Sequence, residues 1–163
     1  MHNFNDLLLE FHREHVLIMP TETVYGLASL PENRVKLDSV KQQPSGKSIA
    51  YAYANVEDVL QLTDDLYVEL CIRSLLPGPF TLLFIAKNGE RIGVRVPDHP
   101  LAKQILEEIG VPILLTSANI HGQKPAFNFA DARSSFPQVP GIDGGPTKYQ
   151  RPSAIIDLSK VRQ

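Results

Sequence analysis

Residues 41–48 read KQQPSGKS, ending in the three letters that close a phosphate-binding loop, so the reading of this stretch governs the fold. A Walker loop requires G-x-x-x-x-G-K-[ST], because an early glycine lets the backbone wrap around the phosphates. Gly46, Lys47 and Ser48 fit the end of that pattern, but the place of the first glycine is taken by Lys41. Pro44 also removes one backbone N–H from the would-be cradle. The Walker reading therefore fails on spacing. What stays is a Pro-Ser-Gly turn with a lysine on each side, six residues apart, and it needs a different architecture around it.

The flanking segments supply one. Phe4, Leu7, Leu8 and Phe11 recur at helical spacing with Asn3 or Asn5 as a cap, and VLIMP at 16–20 reads as a short buried strand. A helical turn or two fits 31–40, and SIAYAYA at 48–54 reads as a strand. VEDVLQL and DDLYVELCIRSLL read as two helices, the second stopped by Pro77-Gly78-Pro79. FTLLFIA and RIGVRVP read as a strand pair joined through Asn88-Gly89. LAKQILEEIG is a helix with a glycine stop, PILLTS a buried strand, and SAIIDLS a closing strand. Residues 119–152 are rich in Gly, Pro, Asn and Ser and show little periodicity, which predicts a long irregular segment; such segments often carry function. Strands and helices mixed along one chain of 163 residues, with no repeat and no linker, predict a single layered α/β domain.

Bulk properties narrow the function. The formal net charge of −2 gives no global attraction to nucleic acid, so any anion site must be local. No apolar run approaches the ~18 residues that span a bilayer. The opening MHNFNDLLLEFHREH interrupts its apolar run with acids and histidines, unlike a secretory leader. A lone cysteine, Cys71, set in an apolar helical pattern, reads as a packed thiol and suits a reducing, cytoplasmic setting.

Polar residues collect where strands end. VLIMP runs into Thr21-Glu22-Thr23-Val24-Tyr25-Gly26, RIGVRVP carries Arg95 and then Asp98-His99, PILL runs into Thr116-Ser117-Ala118-Asn119, and Arg151-Pro152-Ser153 precede the last strand. Each has a structural reading: Thr21 as a cap, Asn119 as a turn residue, Arg95 paired with Glu90 or Asp98. Together they outline a site for a ligand with several anionic and hydrogen-bonding groups, since strand ends of α/β sheets are where ligands bind. His12 and His15, beside Glu10 and Glu14, have the i, i+3 spacing of metal ligands but no second ligand pair, so a solvated helix face is the simpler reading.

Six ordered blocks carry a resemblance: PTETVYGLA at 20–28, K-x-x-P-x-x-K-S-I at 41–49, LLPGPFTLLF at 75–84, GVRVPDHP at 93–100, LLTSANIHGQ at 114–123 and PSAIIDLS at 152–159. From about Met19 to Leu158 the chain resembles the YrdC-like family, whose members make threonylcarbamoyl-AMP for the threonylcarbamoyladenosine modification of tRNA. The resemblance implies a three-layer α/β (α+β) fold in which a twisted mixed sheet flanked by helices shapes a concave, basic cavity. It implies L-threonine, bicarbonate and ATP as substrates, with Mg2+ carried mainly by the nucleotide and no covalent nucleophile. By position it implies nucleotide contacts at Lys41, Gln43, Lys47, Thr81 and Asn119. Threonine contacts are implied at Thr23, Tyr25, Arg95, Ser117 and Ser153, with Ser117 and Asn119 shared between the two substrates. No catalytic residue is assigned, although Glu22 stands where the family has an acid.

The chain departs from the family at its basic motif, where a K-x-R arginine is replaced by Gln43. Lys148 and Arg151, on the late irregular segment, are the candidates to restore that charge. Two functional readings follow: an active synthase with a rearranged phosphate site, or a non-catalytic relative that binds nucleotide or double-stranded RNA, with tRNA as a further possible contact.

Overall fold

The computed structural model describes residues 3–160, so the ends of the expected 1–163 domain, 1–2 and 161–163, lie outside the described residues. Helix α1 (Phe4–Glu14) starts where the Asn3 side chain accepts from the Asn5 N–H, stops at His15 in the left-handed region, and buries Leu7 and Phe11 one turn apart. Strands β1 (Leu17–Met19) and β2 (Gly26–Ser29) follow, then a 3-10 turn (Pro31–Asn33) leading into α2 (Arg34–Lys41) and β3 (Ala50–Ala52). Helices α3 (Val56–Leu60) and α4 (Leu66–Leu75) precede the β4 (Phe80–Ile85) and β5 (Arg91–Arg95) hairpin. Helix α5 (Pro100–Ile109) ends at Gly110, whose φ of 74° suits a residue without a side chain. Strand β6 (Ile113–Ser117), helix α6 (Phe129–Ser135) and strand β7 (Ala154–Asp157) complete the chain.

The seven strands form one sheet in the order β1-β2-β6-β3-β5-β4-β7. The β3/β5 and β4/β7 pairs are parallel and the other four antiparallel, so the sheet is mixed. Because side chains alternate along a strand, the registers define two faces. Leu17, Met19, Ala28, Leu115, Ile113 and Ala52 share one face and pack under α1 and α5. Ile18, Leu27 and Leu114 on the opposite face meet α2 through Leu37 and α6 through Ala132, while Leu82, Phe84 and Val94 meet α3 and α4. Helices on both faces make three layers, as the resemblance implies. Among the described residues no helix is long and apolar enough to cross a membrane.

Two elements differ from the expectation. GLAS at 26–29 forms β2, buried at all four positions, although it has none of the β-branched or aromatic residues that mark strands. Small residues are used there because the neighbouring strand is close: a Cβ on Gly26 would meet Leu115 Cδ1 and lie 3.3 Å from the Thr116 carbonyl. The segment 119–152 is not structureless, since it holds α6, begun by Asn128 accepting from the Asp131 N–H at 2.8 Å. It is also tied to β1, with the Ile18 N–H donating to Pro140 O at 2.7 Å and Gly141 bridged to Ile18.

Candidate functional site

Beyond the area covered by α1 and α5, the same sheet face is open. Gly93 on β5 is paired with Leu83 on β4, Thr81 with Ile155 on β7, and Gly26 with Ser117. These residues floor a cavity of about 800 Å³, whose rim includes Thr21, Arg34, Gly46–Ser48, Arg91, Arg95 and Ser153. The floor is low at its centre because Gly93 has no side chain: a Cβ there would meet Leu83 Cδ2 at 2.8 Å and Ala50 Cβ at 3.6 Å.

Arg95 dominates one part of the wall. It is 6% exposed, and its Nη2 donates to Glu22 Oε1 at 2.9 Å and to Thr23 Oγ1 at 3.2 Å. The acid that pairs with it is therefore Glu22, not Glu90 or Asp98 as the sequence suggested. Glu22 is itself buried, and its second oxygen accepts from the Asp98 N–H at 3.0 Å. With both carboxylate oxygens committed, Glu22 orients the guanidinium and is not placed to act as a free base. Burial lowers the Arg95 pKa, and the adjacent Glu22 charge opposes that shift. Among the described residues Arg95 Nε is buried with no hydrogen-bond partner. An unpartnered buried donor on a cavity wall is costly unless a ligand oxygen fills it.

Thr21 Oγ1 accepts from the Thr23 and Val24 N–H groups and contacts Thr23 Oγ1 at 3.0 Å, so the hydroxyls stiffen the loop that presents Glu22. Across the cavity Thr81 Oγ1 and Ser153 Oγ lie 2.7 Å apart. Residues expected at opposite ends of the ligand thus share one subsite on neighbouring strands.

The turn that follows α2 forms another wall. Lys47 is exposed beside the cavity, with its Nζ 3.3 Å from His121 Nδ1. Lys41, in contrast, is buried and fully engaged: its ammonium donates to Ser117 O at 2.5 Å, Asn119 O at 3.0 Å, and Ser117 Oγ and Asn119 Oδ1 at 3.3 Å. Burial, with a smaller contribution from Lys47, lowers its pKa to about 8. Asn119 spends its amide on Ile120 O and Gln123 O, both at 2.9 Å. Lys41 and Asn119 therefore shape the loop that carries Ser117, rather than lining the cavity.

Tyr25 is also directed elsewhere. Its hydroxyl donates to Gly145 O at 2.7 Å and accepts from the Gly144 N–H at 2.9 Å, pinning the late segment. Burial pushes its pKa up to about 12. Gln43 points away from the cavity, its Nε2 donating to Asp38 Oδ1 at 2.6 Å. So Lys47, Thr81, Arg95, Ser117 and Ser153 line the cavity, whereas Thr23, Tyr25, Lys41, Gln43 and Asn119 stand behind that wall. Lys148 and Arg151 are not among the lining residues; Lys148 lies over the Tyr149 ring. Sequence reasoning missed Arg34 and Arg91. Arg91 pairs with Asp157 at 2.9 Å, a carboxylate held to about 2 by the Ser159 hydroxyl and then by Arg91 itself.

The Sua5_yciO_yrdC family model, described as "Telomere recombination", matches residues 10–163. The chain belongs to the Sua5/YciO/YrdC family. A Yersinia enterocolitica protein named threonylcarbamoyl-AMP synthase is 31% identical over 179 residues, covering 98% of this chain and 93% of that protein. A Klebsiella pneumoniae protein of the same name is 34% identical over 164 residues, covering 88% and 85%. Sua5 of P. abyssi complexed with L-threonine superposes with a TM-score of 0.82 at 26% identity, over 93% of this chain and 50% of that one. The chain thus spans about half the length of that solved Sua5, and the match lies in the domain they share.

Proposed function

We propose that this protein is a threonylcarbamoyl-AMP synthase, using L-threonine, bicarbonate and ATP to make the intermediate for tRNA threonylcarbamoyladenosine modification. The observation that carries the reading is the Arg95 guanidinium, held by Glu22 in the wall of a cavity that also receives Lys47. A guanidinium fixed by Glu22 offers a planar edge to a carboxylate, and an exposed ammonium suits phosphate. The relatives' names and the threonine held by the solved Sua5 support the same substrates.

In this reading the threonine amine condenses with bicarbonate to a carbamate, releasing water. A carbamate oxygen then bonds to the α-phosphorus while the bond to the bridging oxygen breaks, and pyrophosphate leaves with that electron pair. The chain's residues hold and orient; none forms a covalent intermediate. Arg95 holds the threonine carboxylate, the Thr81–Ser153 hydroxyl pair and Ser117 supply hydrogen bonds, and Lys47 meets developing charge on the phosphates. Among the described residues no group of three or more His, Cys, Asp or Glu could hold a metal ion, and Glu90 is the lining carboxylate. These side chains do not build a magnesium site, so magnesium would enter only as the nucleotide's counter-ion.

Nothing in the geometry favours the non-catalytic RNA-binding reading, and the formal net charge of −2 gives it no global attraction to nucleic acid. The test is mass spectrometry of the product made from ATP, L-threonine and 13C-bicarbonate. An adenylate carrying both threonine and the label is expected; ATP left intact, or AMP without the adduct, would refute the proposal.

A further inference from the structure

The basic motif has lost its arginine at position 43, yet the cavity wall beside Lys47 still carries a guanidinium. It belongs to Arg34, the first residue of α2. Arg34 Nε donates to Asp38 Oδ1 at 2.9 Å and Oδ2 at 3.0 Å, and Nη2 donates to the carbonyl of Lys47. The side chain is therefore strapped both to its own helix and to the turn that presents Lys47. Among the described residues Nη1 has no hydrogen-bond partner, so that nitrogen is left for a ligand.

Asp38 has its own support. It is buried, and besides Arg34 it accepts from Gln43 Nε2 at 2.6 Å. Burial alone would raise its pKa, but the Gln43 hydrogen bond and the Arg34 guanidinium hold it below the usual carboxylate range. The chain Gln43–Asp38–Arg34 thus runs from the altered motif position to the cavity. A plain surface ion pair at i, i+4 contributes little. Here the aspartate is locked, and the arginine it holds is only 28% exposed.

We propose that Arg34 is a phosphate-binding residue of this site, and that Asp38 and Gln43 are positioning residues that aim it. The glutamine at 43 then supplies no charge itself; it fixes the carboxylate that directs a cation arriving from one helix turn earlier. This rests on the reading of the cavity as a nucleotide site. Neither Lys148 nor Arg151 is needed for the role.

The probe is ATP binding by calorimetry in the presence of L-threonine, using full-length protein. Arg34→Gln removes a charge-assisted contact and is expected to weaken ATP about ten- to a hundred-fold while leaving the L-threonine affinity close to wild type, with a lower Tm from the lost Asp38 pair. Asp38→Asn keeps the shape but loosens the aim. It is expected to raise KM for ATP several-fold with kcat and KM for threonine unchanged, a split that general loss of structure would not produce. If wild type binds ATP and Arg34→Gln binds it equally well, the inference is overturned while the proposed function stands. If wild type binds no ATP, both fall.

Discussion

Lys41 shows how a residue marked by a motif can act from behind the cavity wall. Its position in the sequence suggests a phosphate contact, but its ammonium is consumed by four oxygens of the loop carrying Ser117 and Asn119. Below pH of about 8 it is charged and has three donors; above, the neutral amine has two and the loop loosens. The kcat/KM for ATP should therefore decline as pH rises through about 8, and Lys41→Met should be slower throughout and lack that limb. Stability should move in the opposite direction. The folded pKa lies below the ordinary 10.5, so the unfolded chain binds more protons between about 8 and 10.5 and the native state gains stability across that window. Tm measured from pH 8 to 9.5 should rise in wild type relative to Lys41→Met; a parallel course in the two proteins would contradict this assignment. Glu22 makes the second prediction at this scale. Glu22→Gln leaves the buried Arg95 guanidinium without its counter-charge, which costs about 3–5 kcal/mol, or roughly 10 °C in Tm for a domain of this size. Because a bound carboxylate would replace the missing charge, L-threonine should raise Tm more in the variant than in wild type. The pairing of Arg95 with Glu22 was not legible, because Glu22 is distant in sequence and only the folded loop 20–25 brings it near; Glu90 and Asp98 were merely the closest acids along the chain.

At the level of elements, strong periodicity was readable and small residues were not. The helices α1, α4 and α5 have apolar spacing with caps or stops, the strands β4 and β6 have apolar runs, and β5 alternates around Ile92 and Val94. Strand β2 is made of Gly, Leu, Ala and Ser, whose strand character comes from tertiary fit against β1 and β6 and not from propensity. Helix α6 did carry a signal, since Phe129, Ala132 and Phe136 share a helical face after the Asn128 cap, but it is seven residues long and lies among glycines and prolines. Gly93 is the element-scale determinant of the cavity. Gly93→Val would place methyl groups against Leu83 and Ala50, so a destabilisation of about 1–3 kcal/mol is expected by overpacking, read by urea denaturation. The same variant should raise KM for both substrates, since the floor of the cavity is lifted; unchanged kinetics would show that the ligands bind elsewhere.

For the whole molecule, one twisted sheet does two jobs on one face. Under α1 and α5 it is closed by a hydrophobic core, and beyond them it is open, with Gly93, Leu83 and Ile155 on its floor and Arg34, Lys47, Arg91 and Arg95 around it. The strand order interleaves segments far apart in sequence, which is why β6 and β3 can set Ser117 and Ala50 beside Gly26 and Gly93. The ordered motif blocks made the convergence of these segments foreseeable, whereas the choice of which residues face the cavity depends on side-chain direction and was settled only by the fold. The account requires that both ends of this cavity be filled before phosphorus is attacked. Pyrophosphate release from ATP, measured with and without L-threonine and bicarbonate, tests that requirement. Release that depends on both co-substrates is the predicted result; release at the same rate when either is omitted, or none when both are present, would contradict it.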